Sequence, residues 1–553
     1  MIRKLRLGNF KAFAETQEVP LRPLTLIYGP NSAGKSSIIQ SLALVHHGIH
    51  TGELDTYHTE VGGESIDLGG FRQYVHRRDI GRLVEWTAEL ESAHFESRLT
   101  QQVAPAQTLA LQFIIGESKT SGVSVQSCTL FADETPIVTM SARGRNRLRI
   151  DRLEQNHPIF KKVLEAIILA TTTTQEVREE DYAGLTEVVD AMVPEFSIDA
   201  HRMVPRLLGG STSEQDKAQS LLIPVSRSGR QEDLAGAARL FLPRALRNIL
   251  NGIADLVAEH VGRLSYLGPL RSYPPRHFLL ARPQDPNWVA GGGHAWEVVA
   301  RSAEVREQVN RWLSDRSRLA TPYRLKVRDY VAEDQLDRLL HASLVPWTEH
   351  IRQEFDKLRE EHKDDASLLH ALRGTIESLD EEAAMPGYLQ AFAAMPRDTH
   401  PDLVLIDERT QTTVSHRDVG IGISQVLPVL VNAYSLSKRL VAIEQPEIHL
   451  HPALQAELGD LFIQSALGER ANTFMLETHS EHLLLRIMRR MRQTAEGTLP
   501  EGFPPLRPDD VSVLFVEPDG PRSIVRQMFL NERGELVQAW PGGFFEEGLR
   551  EVF

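Results

Sequence analysis

Leu24-Thr25-Leu26-Ile27-Tyr28-Gly29-Pro30-Asn31-Ser32-Ala33-Gly34-Lys35-Ser36-Ser37 is an apolar run that passes directly into a complete phosphate-binding loop. The run has the length and composition of a buried strand, and the loop carries two glycines with four residues between them, then Lys and Ser. Gly29 and Gly34 let the backbone curl until its N–H groups face an anion. Lys35 can reach the β and γ phosphates, and the Ser36 hydroxyl suits Mg2+. A helix expected from Ser37 to about His47 turns the positive end of its dipole toward the same anion. Strand, loop and helix in this order predict an α/β fold that binds a nucleoside triphosphate at Gly29, Pro30, Asn31, Ser32, Ala33, Gly34, Lys35, Ser36 and Ser37.

At 553 residues the chain exceeds one compact core and is expected to form two or three globular units. No apolar stretch has the length of a bilayer span, and Met1-Ile2-Arg3-Lys4-Leu5-Arg6 lacks an apolar signal core, so a cytoplasmic location without membrane contact is expected. The single cysteine, Cys128, excludes an internal disulfide and reads as a packing residue. A net charge of -14, from 61 basic and 75 acidic residues, argues against a uniformly basic nucleic-acid binder.

The pattern divides the chain into six parts. Residues 1–157 form an N-terminal lobe holding the phosphate loop and, from about Leu83 to Ile150, an alternating antiparallel β subdomain. Arg143, Arg145, Arg147 and Arg149 recur there at every second position. On one strand they would share a face, either a solvated one or a ridge that contacts phosphates. Residues 158–261 read as a helical insertion broken by Gly209-Gly210-Ser211-Thr212-Ser213, and 262–330 as a return to the core. Residues 331–395 read as a charged helical hairpin, 396–500 as a C-terminal lobe, and 501–553 as a small C-terminal domain. The helix stretch Arg486, Arg489, Arg490 and Arg492 reads as a solvated face, with DNA or an acidic partner as the alternative.

The C-terminal lobe supplies the other half of a nucleotide site. Leu440-Val441-Ala442-Ile443-Glu444 ends an apolar strand on a carboxylate, where Mg2+ needs one, and Glu444 is assigned as that Walker B acid. Phe474-Met475-Leu476-Glu477-Thr478-His479 ends a second short strand near a histidine able to sense the γ phosphate. Gly420-Ile421-Gly422-Ile423-Ser424-Gln425 is a glycine-containing turn opening a helix, whose start can hold an anion from a partner subunit.

These words, in this order, resemble an ABC-type ATPase head of the SMC, RecF and OLD-like branch. The nearest resemblance is to bacterial phage-defence ATPases such as the Septu ATPase PtuA. It is carried by the phosphate loop, the Gly420–Leu427 turn, Glu444-Gln445-Pro446-Glu447 with His449-Leu450-His451-Pro452, and Glu477-Thr478-His479-Ser480. The ending Trp540-Pro541-Gly542-Gly543-Phe544-Phe545-Glu546-Glu547 resembles a small domain of unknown function found in that group. The resemblance implies an ABC-type P-loop head with an antiparallel β lobe and helical insertions, using ATP and Mg2+. His449, His451, His479 and His482 are then motif residues rather than a metal site.

The sequence departs from the pattern at three points. Gln445 stands where a catalytic Glu usually follows the Walker B acid. An amide can orient water but cannot take its proton, so Glu447 is either a substitute base or a structural group, and slow or partner-stimulated hydrolysis is expected. In the signature element Gly422 takes the place of the serine, leaving Ser424 and Gln425 as candidates to touch a partner's ATP. For the loop that links nucleotide to the lateral lobe, and as a further metal ligand beside Ser36 and Glu444, the candidate is Gln73.

By the same resemblance, ATP sandwiched between heads should hold a homodimer or higher homo-oligomer. The segment after His479 lacks the clustered carboxylates of a two-metal nuclease, so nuclease chemistry is not expected from this chain. The leading expectation is an ATPase sensor or scaffold that controls a separately encoded nuclease or toxin in anti-phage defence. A DNA-repair ATPase like RecF, with DNA as ligand, and a nucleotide-gated scaffold without turnover are the alternatives.

Overall fold

A computed structural model describes residues 2–92, 97–119, 122–144, 146–171, 179–207, 229–271, 285–331, 399–414 and 421–545, with a few isolated positions besides. The expected helical hairpin of 331–395 and the Gly209–Ser213 break lie outside the described residues, as do Arg145, Gly420, Glu546 and Glu547.

The chain divides into two compact units. The larger comprises Met1–Pro274, Pro283–Thr321 and His416–Phe553. Its N-terminal strands are β1 (Ile2–Gly8), β2 (Gln17–Pro20) and β3 (Leu24–Tyr28), followed by helix α1 (Lys35–Thr51). A small hairpin, β4 (His58–Thr59) and β5 (Gly63–Asp67), leads into the short helix α2 (Phe71–Tyr74). Then come β6 (Val84–Glu91), α3 (Ser97–Val103), β7 (Thr108–Ser118), β8 (Gly122–Ala132), β9 (Thr135–Gly144) and β10 (Arg147–Leu153). Helices α4 (Pro158–Thr171) and α5 (Glu179–Met192) precede β11 (Ser197–Asp199) and β12 (Arg206–Leu207). The long helix α6 (Gly229–Gly262) feeds β13 (Leu264–Leu267), and α7 (Gly293–Arg301) and α8 (Ala303–Ser314) follow.

The smaller unit, Pro275–Arg282 and Pro322–Ser415, contains an antiparallel sheet of β14 (Tyr323–Val331), β15 (Thr399–Asp407) and β16 (Thr412–Val414). The larger unit resumes with α9 (Ile421–Ser435), β17 (Leu440–Glu444), α10 (Pro452–Leu467), β18 (Thr473–Glu477), α11 (Glu481–Ala495), β19 (Val511–Asp519) and β20 (Arg522–Met528).

The strand that carries the phosphate loop lies inside a six-stranded sheet of order β13-β17-β18-β3-β19-β20. All are parallel except β20, which pairs antiparallel with β19. Apolar runs without alternation fit such a sheet, because both faces must be covered. Ala442 and Met475 join α1 in one core, while Phe474, on the alternate face, packs its ring 5.0 Å from Phe462 of α10. Asp460 of α10 is held by the guanidinium groups of Arg486 and Arg490 from α11, at 2.7 Å and 2.6 Å for Arg490. Those two arginines, Arg490 buried and Arg486 half-buried, are therefore a structural clamp, not the solvated face expected from sequence; Arg489 and Arg492 are exposed.

A nine-stranded antiparallel sheet of order β12-β11-β10-β9-β8-β7-β6-β1-β2 forms the lateral lobe, where the alternation from Leu83 onward placed it. Cys128 is fully buried in it, and burial pushes its thiol far up. The arginine repeat does not occupy one strand: Arg143 is the last residue but one of β9, whereas Arg147 and Arg149 are on β10, because the chain reverses between them. All three are exposed, and Arg149 pairs with Asp151 at 3.0 Å. The stretch 158–261 is not wholly helical either, since β11 and β12 extend this sheet at its edge. They escape a sequence reading because strands of three and two residues hold too little alternation to register.

Candidate functional site

Helix α1 begins at Lys35 rather than Ser37 and continues past His47 to Thr51. Gly34 caps its start in a left-handed conformation, and Gly52 closes its end by donating to the Gly48 carbonyl. Two glycines are required by space as well as by torsion. Gly29 has φ +144°, and a Cβ there would lie 2.1 Å from the Val516 carbonyl oxygen on β19. Gly34 has φ +96°, and its Cβ would meet that of Ala12 at 2.6 Å. Pro30, Asn31 and Ser32 form the exposed tip of the loop, whereas Ala33 and Ser37 are buried. The Lys35 ammonium folds back over the loop, donating to the carbonyls of Gly29 at 3.0 Å and Pro30 at 2.9 Å. Burial pulls its pKa down against the opposing pull of Glu477, Glu444 and Glu447.

Glu444 and Glu477 end adjacent parallel strands in direct register. The Tyr266 hydroxyl of β13 donates to Glu444 Oε1 at 3.0 Å, and the Ser36 hydroxyl bonds the Glu477 carboxylate. Burial, reinforced by the charge of Glu477, pushes Glu444 up to about 7. Burial likewise raises Glu477, whose Oε2 has no partner among the described residues. Glu477 received no role in the sequence reading, although its signal, an acid ending an apolar run, is the one that singled out Glu444. Lys11, also missed, is a second cation here: its ammonium donates to Gln40 Oε1 at 2.6 Å and lies close enough to Glu444 to feel its charge.

Beyond Glu444 the chain turns sharply. Gln445 adopts φ +47°, and its N–H donates to the Glu477 carbonyl at 2.7 Å. Glu447 is buried, raised by that burial, and accepts from the His479 N–H at 2.7 Å through Oε1. His479 is half-buried, which lowers its pKa, and the Lys35 charge lowers it further. His451 caps α10, its Nδ1 accepting from the Ala453 N–H at 3.3 Å.

The glycine-helix element forms the start of α9. Gly422 lies against the loop after β17, where a Cβ would be 3.2 Å from the His449 carbonyl. Ser424 and Gln425 are buried within the chain rather than presented outward. Arg271, which follows β13, links this element to β17, donating to the Gln425 carbonyl at 2.8 Å and to those of Gln445 and Glu444 at 3.0 Å and 3.3 Å. Gln73 is exposed on α2, and no hydrogen bond joins it to Ser36 or Glu444.

The C-terminal aromatic words close over the same strand end. Trp540 and Phe545 each meet Tyr28, the residue before Gly29, edge-on at 5.5 Å, and Phe515 of β19 contacts Trp540 at 5.8 Å and Phe544 at 5.2 Å. The Tyr28 hydroxyl donates to the Ser480 carbonyl at 3.0 Å, joining the phosphate-loop strand to the start of α11.

The oxygen donors of Ser36, Glu444 and Glu477, one of them orphaned, fit a hard divalent cation such as Mg2+, and the curled loop with Lys35 fits a polyphosphate.

Residues 4–177 match a family described as "AAA domain", and residues 292–486 match one described as "AAA domain, putative AbiEii toxin, Type IV TA system". The first match contains the phosphate loop and the second contains Glu444 and Glu477. No curated protein matches the chain. Among solved structures, similarity extends to the SMC head domain from Thermotoga maritima, at 10% identity, covering 96% of this chain and 99% of that one, with TM-score 0.32. It extends also to the Pyrococcus furiosus Smc head with an extended coiled coil bound to the C-terminal domain of ScpA, at 10% identity, covering 100% and 98%, with TM-score 0.34. The chain has an α/β P-loop ATPase fold, and each half of its site lies in a segment that matches an AAA-domain family.

Proposed function

We propose that the protein binds and slowly hydrolyses Mg2+-ATP, and that ATP held between two heads makes it a sensor or scaffold controlling a separate nuclease or toxin in bacterial anti-phage defence. The observation that supports the ATPase reading is the convergence of Lys35, Ser36, Glu444 and Glu477 at the ends of β3, β17 and β18. The phosphates lie along the loop, and Lys35 exchanges the Gly29 and Pro30 carbonyls for phosphate oxygens. Ser36 and Glu444 would hold Mg2+, with Glu477 beside them, and the chemistry it would supply there is neutralisation of phosphate charge. Gln445 orients the attacking water without taking its proton, which makes turnover slow. Glu447 fixes the His479 backbone, leaving the imidazole near Lys35 to register the γ phosphate.

The start of α9 closes on a partner's ATP through the backbone at Gly422, which is partly exposed, with Ser424 and Gln425 buried behind it. The match of residues 292–486 to the family whose description names a toxin and a toxin–antitoxin system supports the defence setting.

ATP turnover measured alone and with duplex DNA, beside Lys35→Ala and Gln445→Glu, tests this. Slow turnover lost in Lys35→Ala, raised in Gln445→Glu and indifferent to DNA is the expected result. Turnover that survives Lys35→Ala would remove the ATPase assignment. Exposed Arg143, Arg147 and Arg149 favour one second reading, a DNA-repair ATPase, which marked stimulation by DNA would put first. Tight ATP binding with turnover only in Gln445→Glu would mean a nucleotide-gated scaffold.

A further inference from the structure

We propose that Arg271 is a positioning residue that locks the start of α9 to the acidic end of β17, so that docking of a partner head on the first is felt by the hydrolytic groups of the second. The inference rests on the ATPase reading above.

Arg271 is 6% exposed and has no carboxylate within ion-pairing distance among the described residues; its donors go to carbonyls instead. One terminal nitrogen holds Gln425 at the opening of α9, and the other spans Gln445 and Glu444 at the close of β17. In return the Gln425 amide reaches the Arg271 carbonyl at 3.5 Å. A buried guanidinium satisfied by three carbonyls is costly to place, and its planar fork is what lets one side chain grip two elements.

The gripped residue on β17 is the one that needs it. Gln445 occupies a left-handed conformation that a residue with a Cβ seldom adopts, and such strain persists only where surrounding bonds over-determine it. The Glu477 carbonyl holds its N–H from one side and Arg271 holds its carbonyl from the other. Gln445 is also the residue assigned to orient water. A shift of the α9 start therefore reaches the Gln445 carbonyl through a single side chain, that of Arg271. The remaining Arg271 nitrogen, Nε, is buried without a partner among the described residues.

The test compares wild type, Arg271→Lys and Arg271→Ala in full-length protein. Lysine keeps the charge but, as a point donor, cannot span the three carbonyls. We expect Arg271→Lys to bind a fluorescent ATP analogue within about twofold of wild type and to melt close to it, while kcat falls at least about tenfold with KM little changed. In Arg271→Ala, millimolar guanidinium should restore part of kcat and methylammonium should not. Retention of kcat within about twofold in Arg271→Lys overturns the proposal. So does a parallel loss of binding, melting temperature and kcat in both variants without guanidinium rescue. If Arg271→Ala fails to fold, Arg271→Lys alone decides. Wild type lacking any Lys35-dependent turnover removes the ATPase reading and this coupling together, whereas normal wild-type turnover undiminished in Arg271→Lys removes the coupling alone.

Discussion

Glu444 and Glu477 face each other across two hydrogen-bonded parallel strands, and the Gln445 N–H is tied to the Glu477 carbonyl, so side chains and backbone join the same two strand ends. Two buried carboxylates at this spacing oppose each other's ionisation unless a cation sits with them. Lys35 and Lys11 offset this opposition only in part, since Glu444 stays raised, and a divalent cation bound there would relieve it further.

Replacing Glu477 by Gln removes one side of that opposition. Glu444 is raised above its ordinary range to about 7, so it contributes stability while protonated and loses it as pH rises through that value. Nucleotide-free Glu477→Gln should be more stable than wild type at pH 8, by about 1 kcal/mol, with little difference at pH 5. Its affinity for Mg2+-ATP should fall. Thermal melts at the two pH values decide the point, and an unchanged pH slope would rule out the opposition.

Gly29→Ala should destabilise the protein by about 3 kcal/mol or more, because the new Cβ meets the Val516 carbonyl, a backbone atom that cannot swing away. Gly34→Ala meets only a methyl group, at Ala12, so it should cost less stability but still reshape the loop and abolish ATP binding. Urea melts and nucleotide titrations separate the two; equal stability of both variants contradicts the steric account.

Trp540→Ala opens the aromatic cluster over Tyr28 and Phe515. Truncating a packed tryptophan costs about 3 kcal/mol. Limited proteolysis should cut near the C-terminus faster than in wild type, and ATP affinity should drop because Tyr28 leads into Gly29. An unchanged cleavage pattern would show that the cluster does not hold the segment.

His46 lies buried on α1, its ring 4.2 Å from that of His50, and burial, with the charges of His50 and His47 secondary, lowers it to about 4. In the unfolded chain it titrates near 6.5, so between that pH and about 4 only the unfolded form takes up the proton, and stability falls as pH falls. His46→Phe should remove on the order of 2 kcal/mol of this acid sensitivity. Denaturant midpoints across pH 7 to 4 give the slope; a variant that tracks wild type throughout contradicts the assignment.

The phosphate loop, the Glu444 strand and the antiparallel β lobe were legible because each is written in consecutive residues whose spacing is itself the chemistry. Glycines at 29 and 34, an acid at the end of an apolar run, and alternation in β6 to β10 need no distant partner to be recognised. Arg143, Arg147 and Arg149 show the limit: the period of two was real, but a reversal between β9 and β10 separated the arginines onto two strands. Arg486 and Arg490 read as surface charge because Asp460, which holds them, comes from another helix.

By itself the sequence determined that a nucleotide-binding loop, a carboxylate-ended strand and a glycine-opened helix exist, since local sterics and hydrogen bonding dictate those elements. Only the tertiary structure decided that Glu477 stands beside Glu444, that Lys11 reaches toward them, that Arg271 grips α9 and β17 together, and that Trp540 covers Tyr28. Each of these depends on strand order and chain crossing. Residues far apart in the chain become neighbours only when a parallel sheet is assembled, and burial then sets the charges and pKa values that their side chains carry.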